Sequence, residues 1–315
     1  STQGYSSAAS DVYKRQVMFR AFYVSTTNTK ILTANSVVMV LTNVVLNYIL
    51  IFGKFGFPAL GIAGAAIASS ISEAVSVMFF VIYTWKKVDY KKYGLFRFTR
   101  VDFRMLGQIL SVSIWVMIQH GIAFGGWFIF FIAMEHLGER PLAITNVVRS
   151  ISSFLFMFVN AFASTNSSLV SNLIGAGESD RVLPLSRRMI GLCYAFVLPI
   201  GILIAMFPST VLRIYTDNPD LIASSIPSLW VMLSSYLFAV PGFIYFFSVS
   251  GTGNTRRALE IDMASIFVYV LYILYVAVWL RADVAVCWTT EYVYNIMILS
   301  SFFYLWKGNW RNKKI

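Results

Sequence analysis

Charged residues are scarce in this chain. They make up 12% of its 315 residues, against roughly 25% in a soluble globular domain, while 58% are hydrophobic and the mean hydropathy is +0.70. That balance excludes an ordinary soluble domain. Cysteine is limited to Cys193 and Cys287, far apart and inside apolar stretches, which excludes both a disulfide framework and a thiolate metal site. Histidine is limited to His120 and His136, with no H-E-x-x-H spacing, so no metal site is expected. No G-x-x-x-x-G-K-[ST] loop occurs, and ATP-driven transport within this chain is unsupported. The scattered acids and two histidines form no compact catalytic set, so an enzyme is not expected. No recognisable filter motif points to a channel.

What is present is apolar length. Eight runs, 33–53, 59–84, 108–133, 142–172, 188–207, 222–250, 259–280 and 284–306, approach or exceed the roughly 20 residues a helix needs to cross hydrocarbon. The expected fold is an all-α, polytopic transmembrane helix bundle. The basic residues fall unevenly about these runs. Lys86, Lys87, Lys91, Lys92, Arg97, Arg100 and Arg104 cluster at 85–107, and further Lys and Arg lie at 173–188, at 251–258 and after 306, sixteen in all. The opposite side carries only Lys54, Arg140, Arg213 and Arg281. This asymmetry predicts a cytoplasmic 85–107 loop and a cytoplasmic basic tail, 307–315. It also accounts for most of the net charge of +11 without a nucleic-acid partner. Residues 1–16 are polar and lack the apolar core of a signal peptide; they read as a foreign or disordered leader outside the fold.

Residues 42–70, TNVVLNYILIFGKFGFPALGIAGAAIASS, organise the rest. Asn43 and Asn47 sit four apart in an apolar run and share a helical face. A Gly- and Pro-rich turn follows Gly53, and the next run opens with Gly61, Ala63, Gly64, Ala65 and Ala66, small residues that let helices approach closely in lipid. The stretch reads as a packed transmembrane hairpin. An echo supports two halves: Asn28-Thr29-Lys30 opens the first hairpin and Tyr83-x-Trp85-Lys86 closes it, while Asn254-Thr255-Arg256 and Tyr304-x-Trp306-Lys307 bracket the last. Parallel repeats of this kind are a known transporter arrangement.

The N-x-x-x-N run with LIFGKFGFPALGIAGAAIAS, the segment LVSNLIGAGESDR after the fourth run, and SGTGNTRRAL after the sixth resemble the MATE (multidrug and toxic compound extrusion) transporters. The resemblance runs from about Val17 to the C-terminus. Since the family has twelve helices in two six-helix lobes, it implies a chain running from the end of helix four through helix twelve, with the first four helices missing. Residues 17–84 would then be a remnant of the N-terminal lobe, 85–107 the inter-lobe loop and 108–306 the C-terminal lobe. A chain so truncated is expected to insert without transporting.

Several residues carry candidate roles. The resemblance places Asn43 and Asn47 at proton- or cation-linked positions of helix five and Ser69 at a hydroxyl position of helix six. Equally, the two amides could simply cross-link helices for about 1 kcal/mol each. In the fourth run Arg149, Ser153, Asn160, Ser164, Ser167 and Ser171 share one helical face, which either lines a wet cavity or packs closely; the serines suit packing. Arg149 lies well inside its span, where an unpaired charge costs at least about 2.5–3.5 kcal/mol, so a carboxylate partner or a water-filled vestibule is expected. Glu73 and Glu291, the latter with Asn295 one turn on, are intramembrane acids and therefore functional candidates. Gln119, His120 and Trp127 could meet substrate. Pro241 with Gly242 should kink the sixth run and could serve as a hinge. Relatives known to couple cations carry a glutamate on the helix of Gln119 and an aspartate near the position of Pro241; both are absent here.

The resemblance implies a secondary antiporter that exports amphipathic, cationic organic compounds in exchange for H⁺ or Na⁺, with no other cofactor. Its partners would be the bilayer and small organic cations or drugs, in the inner membrane of a bacterium, as a monomer when complete. A flippase for lipid-linked oligosaccharides, from the same superfamily, is the alternative; a cavity rich in Arg and Lys would favour it.

Overall fold

The computed structural model describes residues 2–26, 28–88, 102–308 and 310. These divide into two compact units, Ser1–Val101 and Asp102–Ile315, and the division falls inside the basic stretch 85–107. Among the described residues all regular structure is helical.

The first unit holds α1 (Thr2–Ser25), α2 (Thr29–Phe52) and α3 (Gly61–Lys87). Residues 2–16 thus begin a helix, and their exclusion from the fold is corrected at Gln16. That side chain is buried, donating to Ser76 Oγ at 2.9 Å on α3 and lying 3.3 Å from the sulfur of Met39 on α2. Asn35 donates to the same serine at 2.8 Å. A buried amide must find such partners because hydrocarbon supplies none. Nearer the other end, Tyr23 stacks on Phe80 at 5.6 Å and shares a 2.6 Å hydrogen bond with Thr84.

The hairpin expected at 42–70 is present. Gly53 ends α2 in the left-handed conformation (φ 65°), which a residue with no Cβ adopts without strain. Leu60 N–H then bonds back to Leu50 O at 2.9 Å. At Gly64 the helices touch: a Cβ there would lie 2.6 Å from Leu50 O, so glycine is what permits this approach.

The second unit contains α4 (Phe103–Leu137), α5 (Glu139–Gly175), α6 (Val182–Met206), the short α7 (Pro208–Leu212), α8 (Pro219–Gly251) and α9 (Thr255–Ile273). A π-helical turn, Leu274–Trp279, extends α9, and α10 (Val284–Cys287), α11 (Thr290–Ile298) and α12 (Ser301–Lys307) complete it. Asp102 and Asn218 cap α4 and α8, each accepting two backbone N–H bonds of the first turn. The core is built around α8. It packs on α5 where Gly251 meets Ser167, a Cβ being placed 2.6 Å from Ser167 O, and where Ser171 donates to Gly251 O at 2.8 Å.

Among the described residues seven helices are long and apolar enough to cross a membrane, and the protein is multi-pass. The expected eighth run, 284–306, is corrected in form: it is three short helices. Its connecting residues Trp288, Thr289, Leu299 and Ser300 keep right-handed helical dihedrals. What interrupts it are tightened i→i−3 bonds, Glu291 N–H to Trp288 O at 3.1 Å and Phe303 N–H to Ser300 O at 3.0 Å.

Candidate functional site

The residues singled out in the first unit do meet. Asn47 donates to Asn43 Oδ1 at 2.8 Å, and Asn43 donates to Ser69 Oγ across the hairpin at 3.3 Å. The i, i+4 spacing places the amides one turn apart, and the small residues of α3 bring Ser69 within reach. Asn47 Oδ1 is buried with no partner. Glu73, on the same helix as Ser69, is half-buried and takes part in no hydrogen bond or ion pair among the described residues.

The second unit gathers a richer set. Glu291 stands in the first turn of α11, half-buried, with no hydrogen bond or ion pair to a described residue. Around it are Tyr236 of α8, Tyr269 of α9 and Tyr294 of α11, each close enough to feel its charge. Tyr294 donates to Asp262 Oδ1 at 3.0 Å. Asp262 is 2% exposed. The rings of Tyr269 and Tyr294 meet edge to face at 5.9 Å. Asn295 is buried on the helix of Glu291 with Oδ1 unpartnered. Two carboxylates, tyrosine hydroxyls and an amide thus lie within a mostly aromatic wall, a chemistry suited to cations and protons.

Arg149 is met by aromatic rings in place of the carboxylate offered as one of its two expected settings. It has no carboxylate partner among the described residues; its guanidinium lies over the rings of Trp127 at 4.3 Å and Phe131 at 4.4 Å. Two ring faces stabilise the ion by about 0.5–2 kcal/mol each, a large share of the insertion cost. Asn160 makes no side-chain hydrogen bond among the described residues and, like Ser153 and Ser164, is exposed. Ser167 and Ser171 instead pack on Gly251, so the stripe divides between a close helix contact and an open polar face. Helix α8 runs through Pro241 without a break, and Gly242 is where it touches α11, a Cβ there falling 2.9 Å from Ile298 Cγ2 and 3.1 Å from Asn295 O.

Sequence reasoning missed Asp262. It stands two residues from Glu260 near the start of its run and so resembles an interfacial acid, although an i, i+4 pair with Ile266 on a buried face would have placed it inward. Asn166 was missed too: fully buried, it donates to Ser248 Oγ at 2.6 Å and to Ser186 Oγ at 3.3 Å, joining α5, α6 and α8. It interrupts the predicted stripe by two positions, which puts it on the core side.

The MatE family description matches residues 116–278, a stretch that includes Gln119, Arg149 and Asp262. The chain belongs to the MatE family. Members of that family are transporters rather than enzymes. Among curated proteins it is 28% identical over 239 residues to a probable multidrug resistance protein NorM of Thermotoga maritima, covering 75% of this chain and 50% of that protein. It is 30% identical to a NorM of Synechocystis, covering 57% and 39%. The chain spans about half the length of the curated relatives it matches. Among solved structures, a Vibrio cholerae MATE transporter superposes with a TM-score of 0.79 at 17% identity, over 97% of this chain and 69% of that one. A MOP superfamily transporter from Pyrococcus furiosus, described as having a binding pocket of reversed polarity, gives 0.75 over 87% and 61%. At such identities the likeness establishes the MATE fold.

Proposed function

We propose that the protein is a secondary multidrug antiporter that exports amphipathic organic cations in exchange for H⁺ or Na⁺. Glu291 and Asp262 would be the exchanging carboxylates of the second unit. Relatives described as multidrug resistance proteins support the transport class. The carrying observation is Glu291: a half-buried acid inside a helical span, walled by tyrosines, with no ionic partner among the described residues. An unpaired carboxylate in that setting is costly, so it is at rest only with a proton or a cation bound. One of these can be traded for an organic cation.

Asn43, Asn47 and Ser69 form a polar relay in the first unit that would contact a coupling ion or its water. The basic asymmetry supports placing the protein in a bacterial inner membrane with a cytoplasmic C-terminus. The flippase reading is disfavoured because Arg149, the cation deep in a span, is covered by two rings.

The test is efflux of a fluorescent organic cation from cells expressing this chain joined to the four N-terminal helices that the family resemblance implies. Glu291→Gln should abolish most efflux while membrane levels stay near those of the parent. Parallel loss of protein and activity would mark Glu291 as structural.

A further inference from the structure

A cavity of about 560 Å³, apart from the acidic site, opens between the start of α9 and the end of α12. Its lining has two characters. At the helix ends stand Asn254, Arg257, Glu260, Tyr304 and Lys307; along the helices toward the membrane interior run Ile261, Ala264, Met297 and Phe303. The polar end is built rather than incidental, since Asn254 Nδ2 donates to Tyr304 Oη at 2.6 Å and ties the two walls together. Asn254 therefore does not use its side chain to cap α9.

The charge there is unbalanced. Glu260 is engaged by Arg256 at 3.5 Å and also by Arg257, while Lys307 makes no ion pair among the described residues. In the lining two cations, Arg257 and Lys307, face the one carboxylate Glu260, while Arg256 lies outside it, over the ring of Trp115 at 5.7 Å. Phe303 and the neighbouring Trp306 are 62% and 64% exposed, as side chains that meet lipid are. A cationic mouth at the helix ends leading onto an apolar floor matches one kind of molecule, an amphiphile with an anionic head and a hydrocarbon tail.

We propose that this groove binds an acidic phospholipid from the leaflet into which these Lys- and Arg-rich helix ends project. The phosphate lies at Lys307 and Arg257 and one acyl chain runs along Ile261, Ala264, Met297 and Phe303. Basic pockets between transmembrane helices recognise anionic headgroups in this way. Free phosphate shares the headgroup chemistry but would leave the apolar floor unused. The echo at Asn28 repeats the backbone of Asn254, with φ −88°, ψ 64° against φ −92°, ψ 61°. Among the described residues, however, only Asn254 is bonded to the tyrosine that closes its hairpin. The site stands independently of how transport is coupled.

The experiment equilibrates the purified full chain in detergent with equimolar phosphatidylglycerol and phosphatidylcholine, then quantifies retained lipid by mass spectrometry. Phosphatidylglycerol should be retained in preference, near one per chain. Lys307→Gln should lower that preference about fivefold, the effect of one cation near an anionic lipid surface, and Lys307→Arg should keep it. Ala264→Trp, which fills the floor, should reduce retention of both lipids, and millimolar inorganic phosphate should not displace the bound phosphatidylglycerol. Equal retention of the two lipids, an unchanged ratio in folded Lys307→Gln, or full displacement by inorganic phosphate would each overturn the proposal, the last in favour of a free-phosphate site.

Discussion

The hydroxyl of Tyr294 donates to Asp262 at 3.0 Å, joining α11 to α9 across the aromatic wall that surrounds Glu291. Asp262 is buried, so that bond satisfies a group that would otherwise stand without a donor from this helix. Tyr294→Phe removes it while keeping the ring. The variant should lose about 1–3 kcal/mol, the cost of leaving a buried acceptor unpaired, and its efflux should fall more than its membrane level. A melting temperature and efflux both equal to the parent would show the bond to be idle.

Arg149 offers a test in which two magnitudes oppose. Replacing it with Met forfeits two ring contacts of about 0.5–2 kcal/mol each but removes an intramembrane charge that costs about 2.5–3.5 kcal/mol. Arg149→Met should therefore insert and accumulate at least as well as the parent. A sharp fall in membrane level would point to an ionic partner that the two stacked rings do not reveal.

Close helix approach at Gly251 and Gly242 should be intolerant of a methyl group. Gly251→Ala would place Cβ 2.6 Å from the backbone oxygen of Ser167, which cannot swing aside. A loss of about 1–3 kcal/mol is expected from such overpacking. Gly107 of α4, with nothing within 4 Å of an added Cβ, should instead accept alanine with a gain of about 0.5–1 kcal/mol. Thermal denaturation in detergent separates the two; similar melting points for Gly251→Ala and Gly107→Ala would refute the packing account.

Asn47 hydrogen-bonds Asn43 and keeps a buried oxygen without a partner. Asn47→Asp puts a titratable group at that point of the relay. Efflux by the variant should depend more strongly on pH between acidic and neutral conditions than efflux by the parent. Identical profiles for the two would place the relay outside the transport path.

Spans, hairpin and family were legible because their signals are local: apolar length, the glycines of 53–64, the segment IGAGE. The shared face of Asn43 and Asn47 was legible from their spacing, while Ser69 was placed only by the family resemblance and its bond to Asn43 appears in the structure. What escaped required three-dimensional neighbours. Asp262 reads as interfacial until Tyr294 is seen to donate to it, and Gln16 reads as part of a polar leader until Ser76 is seen to accept its bond. The partner of Arg149 was sought among acids, whereas the aromatic residues one helix away supply it. The last run was drawn as one helix because hydropathy does not register the switch to i→i−3 bonding at residues 289–291 and 300–303.

The central claim is that carboxylates of the second unit exchange a coupling ion for an organic cation. The direct measurement is uptake of a fluorescent cation into proteoliposomes driven by an imposed H⁺ or Na⁺ gradient, comparing the parent, joined to the four N-terminal helices that the family resemblance implies, with Glu291→Gln and Asp262→Asn in the same background at matched reconstituted amounts. The account predicts gradient-driven uptake by the parent and loss of at least nine-tenths of it in Glu291→Gln, about the tenfold that 1.4 kcal/mol of lost ion binding represents. Full gradient-driven uptake in both variants would contradict it.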